Sequence, residues 1–192
     1  MSQTTQPALE KIHWTVRDVE ALPQSEGTRY EIINGELFVT RSPHRRHQQA
    51  GGRVFAILDE WSEATGLGEA IPAPGVIFSE SDSVIPDVVW VSNARLAAIE
   101  DEAGHLTAAP DLVVEVLSPG QQNEARDRES KLHLYSVTGV QEYWILNRFT
   151  QQVELYRRID NQLTHVATLG NTDELTSPLL PGFACPVSRL FR

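Results

Sequence analysis

Pro110-Asp111-Leu112-Val113-Val114-Glu115-Val116-Leu117-Ser118-Pro119 sets a carboxylate, Glu115, in the middle of an apolar run bounded by prolines. The run reads as a strand covered on both faces, because a strand wet on one side would alternate polar with apolar residues. An ionised carboxylate isolated in such surroundings is costly, so Glu115 should be paired, hydrogen-bonded or bound to a metal. A second stretch of the same kind stands upstream, Ile85-Pro86-Asp87-Val88-Val89-Trp90-Val91, with Asp87 opening the apolar run. Side chains alternate across a strand, so Asp111, Val113, Glu115 and Leu117 share one face and Leu112, Val114 and Val116 the other. Two carboxylates on two strands, followed by a helix carrying Lys131, form the skeleton of a metal-dependent phosphodiesterase site.

Working outward, Pro119-Gly120 ends that strand, and a helix is expected over residues 124–137 with Gly139 near its C-cap. Strands are expected at 143–146, 153–156 and 163–169, then an irregular tail punctuated by Pro178, Pro181 and Pro186. Upstream, Asn34-Gly35 between apolar runs predicts a β-hairpin over residues 30–39. Val54, Phe55, Ile57, Leu58 and Trp61 recur at helical spacing within residues 45–64. Residues 69–79 and 84–91 read as two strands joined by the polar turn Glu80-Ser81-Asp82-Ser83, and 93–100 as a short helix. A further short helix is expected over 18–22, capped by Asp18 and stopped by Pro23. This order implies an α/β core, one central sheet of mixed strand direction with helices against it.

The 192 residues are read as one domain spanning 1–192, with residues 1–10 a polar leader. Composition is that of a soluble globular protein, 41% hydrophobic and 22% charged. No apolar run is long enough to span a bilayer, the N-terminus lacks the order of a signal peptide, and Cys185 stands alone. A cytoplasmic location without membrane contact is therefore expected. The net charge of −10 argues against a protein that coats nucleic acid non-specifically, yet is compatible with a nuclease whose acidic centre binds metal. From residue 41 to 53 there are four arginines, two histidines and no acid: Arg41, His44, Arg45, Arg46, His47 and Arg53. They form either a phosphate-contacting edge or a solvated loop and first helical turn.

Each candidate has a plainer reading. Lys131 lies four residues after Asp127, a favourable helical ion pair, but could also place positive charge on a phosphoryl transition state. Asp87 and Asp111 each follow a proline, where Asp often serves a turn or cap. Glu115 could pair with Arg126 or Arg128. Glu36 could be an ordinary polar strand residue, His47 could cap or bind phosphate, and Trp90, Tyr143 and Trp144 suit a core.

The chain resembles the Uma2 family of restriction-endonuclease-like proteins. The matching segments are 29–37 (Arg-Tyr-Glu-Ile-Ile-Asn-Gly-Glu-Leu), Ser42-Pro43 with His47-Gln48, 86–91, 110–119, Asp127-Arg128 with Lys131 and Tyr135, 139–144 and 178–182. The resemblance implies a PD-(D/E)XK nuclease fold, an α/β (α+β) mixed sheet flanked by helices, here with an N-terminal β-hairpin extension. It implies Mg²⁺-dependent cleavage of DNA phosphodiester bonds, with Mn²⁺ as a substitute ion. It puts the metal on Asp87 and Glu115. The motif's lysine should stand two residues after the glutamate, where this chain has Leu117. Such families recruit the lysine from the following helix, which makes Lys131 the replacement. Glu36 is implied as a further acidic member of the catalytic site near the metal; on the nuclease reading the basic patch supplies Arg45, Arg46 and His47 as contacts to the DNA backbone. Many nucleases of this fold act as dimers, which inclines the reading to a homodimer. The alternative is a nuclease-fold binding module without cleavage activity.

Overall fold

The computed structural model describes residues 12–23, 27–41 and 43–192. The expected leader and Ser42 of the Ser42-Pro43 motif lie outside the described residues.

The first helix, α1, covers Val16–Glu20. Its cap is Thr15 rather than Asp18: the Asp18 carboxylate accepts the Thr15 backbone N–H at 2.8 Å and the Thr15 hydroxyl accepts from Asp18, a reciprocal box that places Asp18 inside the first turn. Strands β1 (Thr28–Ile33) and β2 (Glu36–Arg41) form the expected hairpin. Its two central residues, Asn34 and Gly35, both take positive φ, at 51° and 71°, as a tight turn matched to strand twist requires. Helix α2 (Arg45–Thr65) follows. Its cap is His44, whose ring nitrogen accepts the Arg46 N–H, and Gly66 ends it in the left-handed region at φ 65°.

The two runs expected as single strands are each divided. Residues 69–79 become β3 (Gly68–Pro72) and β4 (Val76–Ser79); of the run expected over 84–91, Val84 ends β5 (Asp82–Val84), which takes Asp82 and Ser83 from the expected turn, and Val88 onward forms β6 (Val88–Ser92). Pro74 and Pro86 stand at the breaks, where a residue without an N–H cannot continue a ladder. Each break moves the chain from one sheet to another. Helix α3 (Asn93–Ile99) leads to β7 (Leu112–Val116). The next helix begins earlier than its periodicity predicts, as α4 (Gln121–Ala125), widens into a π turn (Arg126–Lys131), and continues as α5 (Leu132–Thr138) to Gly139 at φ 105°. Strands β8 (Glu142–Asn147), β9 (Gln152–Ile159) and β10 (Gln162–Leu169) follow. The tail, expected to be irregular, carries a small ribbon, β11 (Glu174–Thr176) with β12 (Ala184–Pro186).

The main sheet has six strands in the order β10-β9-β8-β7-β6-β3. Only β7 and β8 are parallel, because the helical segment between them crosses over; their neighbours are antiparallel. A second sheet, β2-β1-β5-β4, incorporates the hairpin, which is therefore no mere extension. On one face of the main sheet, Leu112, Val114, Val116, Trp90 and Trp144 pack with Ala50, Val54 and Leu58 of α2 and with Phe183 and Cys185 of the tail. On the other, Val113, Leu117, Tyr143 and Ile145 pack with Leu134 and Tyr135 of α5, Leu96 of α3, and Ile33, Val76 and Val84 of the smaller sheet. The strict alternation along β7 is thus realised, and it sends Glu115 to the face shared by α5 and the smaller sheet.

Candidate active site

Register brings the two sequence-predicted carboxylates together. Val88 of β6 pairs with Val114 of β7 in an antiparallel ladder, which carries Asp87 to the position opposite Glu115. The Asp87 Oδ2 accepts the Val116 backbone N–H at 2.9 Å, so the acid that opens one strand is fastened to the neighbouring one. Arg29 lies 3.6 Å from the other oxygen, and His47 Nε2 lies 3.3 Å from Oδ2. Asp87, Glu115 and Lys131 line one small cavity of about 70 Å³ with Glu31, Asp127, Arg29, Arg41, His47 and Arg126 among its walls.

Lys131 reaches Glu115 from the helix. Its ammonium bridges Glu115 Oε1 and Glu31 Oε1, each at 2.8 Å, and the lysine is only 2% exposed. The Tyr135 hydroxyl donates to the same Glu115 oxygen at 2.9 Å. Tyr135 is one turn beyond Lys131, so one face of the helix delivers both donors. The π turn that ends at Lys131 is held to the sheet by Tyr143, whose hydroxyl donates to the Asp127 carbonyl at 3.0 Å. Leu117, where the motif lysine would stand, is fully buried in the core.

Neither plainer pairing survives. Lys131 binds Glu115 and Glu31 rather than pairing with Asp127, and Glu115 binds Lys131 rather than an arginine. Arg128 turns to Glu124 and Glu154, while Arg126 lies 3.7 Å from Asp127. Asp111 does take its plain role: its carboxylate accepts the Ser92 N–H at 2.8 Å and pairs with Arg95 at 3.1 Å, tying β7 to the start of α3. Trp90, Tyr143 and Trp144 are core residues.

Glu36 is elsewhere. It stands exposed where β2 leaves the hairpin turn, opposite Ile33, and does not line the cavity. The hairpin's acid at Lys131 is Glu31, which also accepts the Ile85 N–H at 2.9 Å. Sequence reasoning passed over Glu31 and Asp127. Glu31 carried the same signal as Glu115, an acid inside an apolar β-run, Tyr30 to Ile33. Arg45 and Arg46 lie one residue or two before His47 on α2, but they line a different concavity, described below.

Electrostatically the acids Glu31, Asp87, Glu115 and Asp127 of the cavity wall divide. Burial opposes ionisation of Glu31, but the Lys131 ammonium, the Ile85 N–H and Arg126 outweigh it and hold its carboxyl below the usual range. Burial raises Asp87 to about 6, against the Val116 N–H, Lys131 and Arg29. Burial also raises Glu115, Lys131 opposing it and the neighbouring charges of Asp87 and Glu31 adding to it, to about 7. Asp127 rises to about 7 for the same leading reason. Burial drives His47 down to about 4, leaving it neutral at pH 7. Lys131 stays protonated, since Glu115, Glu31 and Asp127 together overcome its burial.

These groups suit a hard divalent cation. Asp127 Oδ1 is buried without a hydrogen-bond partner, and burial works against ionisation of Asp87, Glu115 and Asp127, a cost that a bound cation would offset. Among the described residues no three acidic, His or Cys side chains already form a metal cage. Magnesium does not require one, because it commonly takes one or two carboxylates and keeps several waters.

A family model described as "Uma2: Putative restriction endonuclease" matches residues 16–188. The chain belongs to the Uma2 family. Among solved structures, this Uma2 chain is similar to one described as a "putative nuclease belonging to DUF820" from Anabaena variabilis ATCC 29413. The two share 19% identity and superpose with a TM-score of 0.74 over 92% of this chain and 97% of the other, a likeness of fold. No match is found among curated proteins. The α+β architecture and membership of a nuclease-like family expected from the Uma2 motifs are thus both met. Among the described residues no helix is long and apolar enough to cross a membrane.

Proposed function

We propose that this chain is a Mg²⁺-dependent endonuclease acting on DNA phosphodiester bonds. The observation that carries the reading is the convergence of Asp87, Glu115 and Lys131 on one cavity from two strands and a helix. In this reading Asp87 and Glu115 hold the ion, and Mn²⁺ can replace Mg²⁺. When bound, the ion supplies Lewis-acid charge to the phosphodiester. Lys131 contributes a permanent positive charge beside Glu115, suited to stabilising phosphoryl oxygens or orienting water. Glu31 and Tyr135 position that ammonium and its partner carboxylate. His47, neutral and against Asp87, helps to orient the acid, and Arg45 and Arg46, which line a separate concavity, would contact the phosphate backbone.

The test is nicking of supercoiled plasmid by the purified protein with Mg²⁺ or Mn²⁺. Wild type should nick, and Asp87→Ala and Glu115→Ala should not. Equal nicking by all three proteins would falsify the assignment. A second reading, a nuclease-fold binding module without cleavage, is favoured by Leu117 in the motif position and by the engagement of Lys131 with two carboxylates at once. Calorimetric titration separates the two, since absence of metal binding at millimolar Mn²⁺ supports the module.

A further inference from the structure

Beside the carboxylate cavity, but sharing no lining residue with it, lies a larger concavity of about 660 Å³. Arg45, Arg46 and Arg53 line it from α2, Arg148 from the β8–β9 turn, and Arg192 from the end of the chain. Among the described residues no acidic side chain lines it. In a protein of net charge −10, five guanidiniums gathered around one hollow are an anomaly.

Elsewhere the arginines near acids are paired, as Arg29 is with Asp87, Arg95 with Asp111, Arg128 with Glu124 and Glu154, and Arg157 with Glu142. Among the described residues, none of the five in this hollow forms an ion pair. Two are nonetheless held in place. The Arg148 guanidinium stacks on Phe149 at 4.0 Å from the ring centroid, with its Nε buried and without a hydrogen-bond partner. Arg45 donates to Gln49 at 3.3 Å. Like charges fixed around a cavity repel one another until an anion enters. Guanidinium forks match the oxygens of phosphate in geometry as well as charge. The volume exceeds one phosphate and falls within the size range of small-molecule pockets, roughly 300–1,000 Å³.

We propose that this hollow is a phosphate pocket for a nucleotide, either one within a bound strand or a free one, separate from the Asp87–Glu115 centre. The choice of a nucleotide as ligand rests on the nuclease reading; the anion preference rests on the five arginines alone. Strand and free nucleotide present the same chemistry to the pocket, and binding assays distinguish them.

The experiment is fluorescence anisotropy of a labelled DNA duplex with the full chain in EDTA, so that no cleavage intervenes. The Arg53→Ser/Arg148→Ser protein should bind about tenfold more weakly than wild type, and the slope of log K against log salt should fall by about 2. Both side chains are half-buried in the wall of the hollow, and a matching thermal melt verifies that the variant folds. Arg17→Ser removes one charge from α1, remote from the hollow, and should leave the affinity nearly unchanged. ATP is added as the free-nucleotide probe. Displacement of the duplex by ATP in wild type assigns the pocket to nucleotides in general, and retention of the duplex assigns it to the strand; both support the pocket. Equal binding of duplex and ATP by wild type and the double variant overturns it, as does failure of wild type to bind either probe. Plasmid nicking by Asp87→Ala reads the cleavage centre independently, so the two proposals can fail separately.

Discussion

Lys131 is the residue on which the centre turns. It is buried between two carboxylates, so removing it leaves two charges without their cation, a defect that typically costs about 3–5 kcal/mol when a buried pair is broken. Lys131→Met should therefore lower stability by about that amount at pH 8, read by urea denaturation, and by less near pH 5, where Glu115 can take up a proton instead. Glu31→Gln is expected to act differently. It removes one of the two carboxylates that hold the ammonium, so plasmid nicking should slow while calorimetric Mn²⁺ affinity changes little, because the proposed ligands Asp87 and Glu115 remain. Loss of Mn²⁺ binding in Glu31→Gln would instead place Glu31 among the ligands. Glu31 was open to the argument that singled out Glu115, an acid among apolar β-residues. Asp127 was not, since in a helix an acid four residues before a lysine reads as an ordinary surface pair, and only the packing of the helix against β8 buries it.

At the scale of elements, the hairpin and the interrupted helix deliver the positive charge and its partners. Residues 124–137 carry helical spacing, and that spacing does not announce the π turn at Arg126–Lys131. The wide turn occurs where the Tyr143 hydroxyl takes up the Asp127 carbonyl, a tertiary contact. Tyr143→Phe leaves that buried carbonyl without its donor. The expected cost is about 1–3 kcal/mol by denaturant titration, together with slower nicking as Lys131 loses its support. Gly35 is the corresponding point in the hairpin. At φ 71° any side chain is strained, and a Cβ there would come within 2.1 Å of the His13 ring, so Gly35→Ala should lower the melting temperature and loosen Glu31. The two β-runs on either side of residues 80–83 show why strand boundaries escape a sequence reading. Pro74 and Pro86 mark breaks, but nothing local says that the chain changes sheet at each.

For the whole molecule, the acid balance of the centre predicts how stability follows pH. Asp87, Glu115 and Asp127 have folded-state values above their unfolded ones. Between about pH 4 and pH 7 the folded state therefore binds more protons than the unfolded chain, and these groups make the metal-free protein less stable as pH rises through that window. Glu31 and His47 have the opposite sign: each contributes stability that is present above its unfolded value and lost as pH falls through its lower folded one, so His47 partly offsets the three acids between about pH 4 and 6.5. The expected melting curve of the metal-free protein declines from pH 5 to pH 8. Millimolar Mn²⁺ should raise the melting temperature more at pH 8 than at pH 5, because protons compete for the same carboxylates, and a metal present at a hundred times its Kd adds about 2.7 kcal/mol. A melting temperature indifferent to Mn²⁺ at pH 8 would count against a metal centre here.

The sequence by itself determined the strand that carries Glu115, the hairpin turn, the long helix after it and the face of β7 on which Glu115 lies. Periodicity, turn chemistry and the cost of burying a charge are local and act wherever those residues occur. Only the tertiary structure decided that Asp87 lies against Val116, that Lys131 bridges Glu115 and Glu31, that Glu36 stays outside, and that arginines from α2, the β8–β9 turn and the chain end share one hollow. Those are juxtapositions of residues far apart in the chain. They follow from strand register and sheet order, which the pairing of whole elements sets and no single stretch encodes.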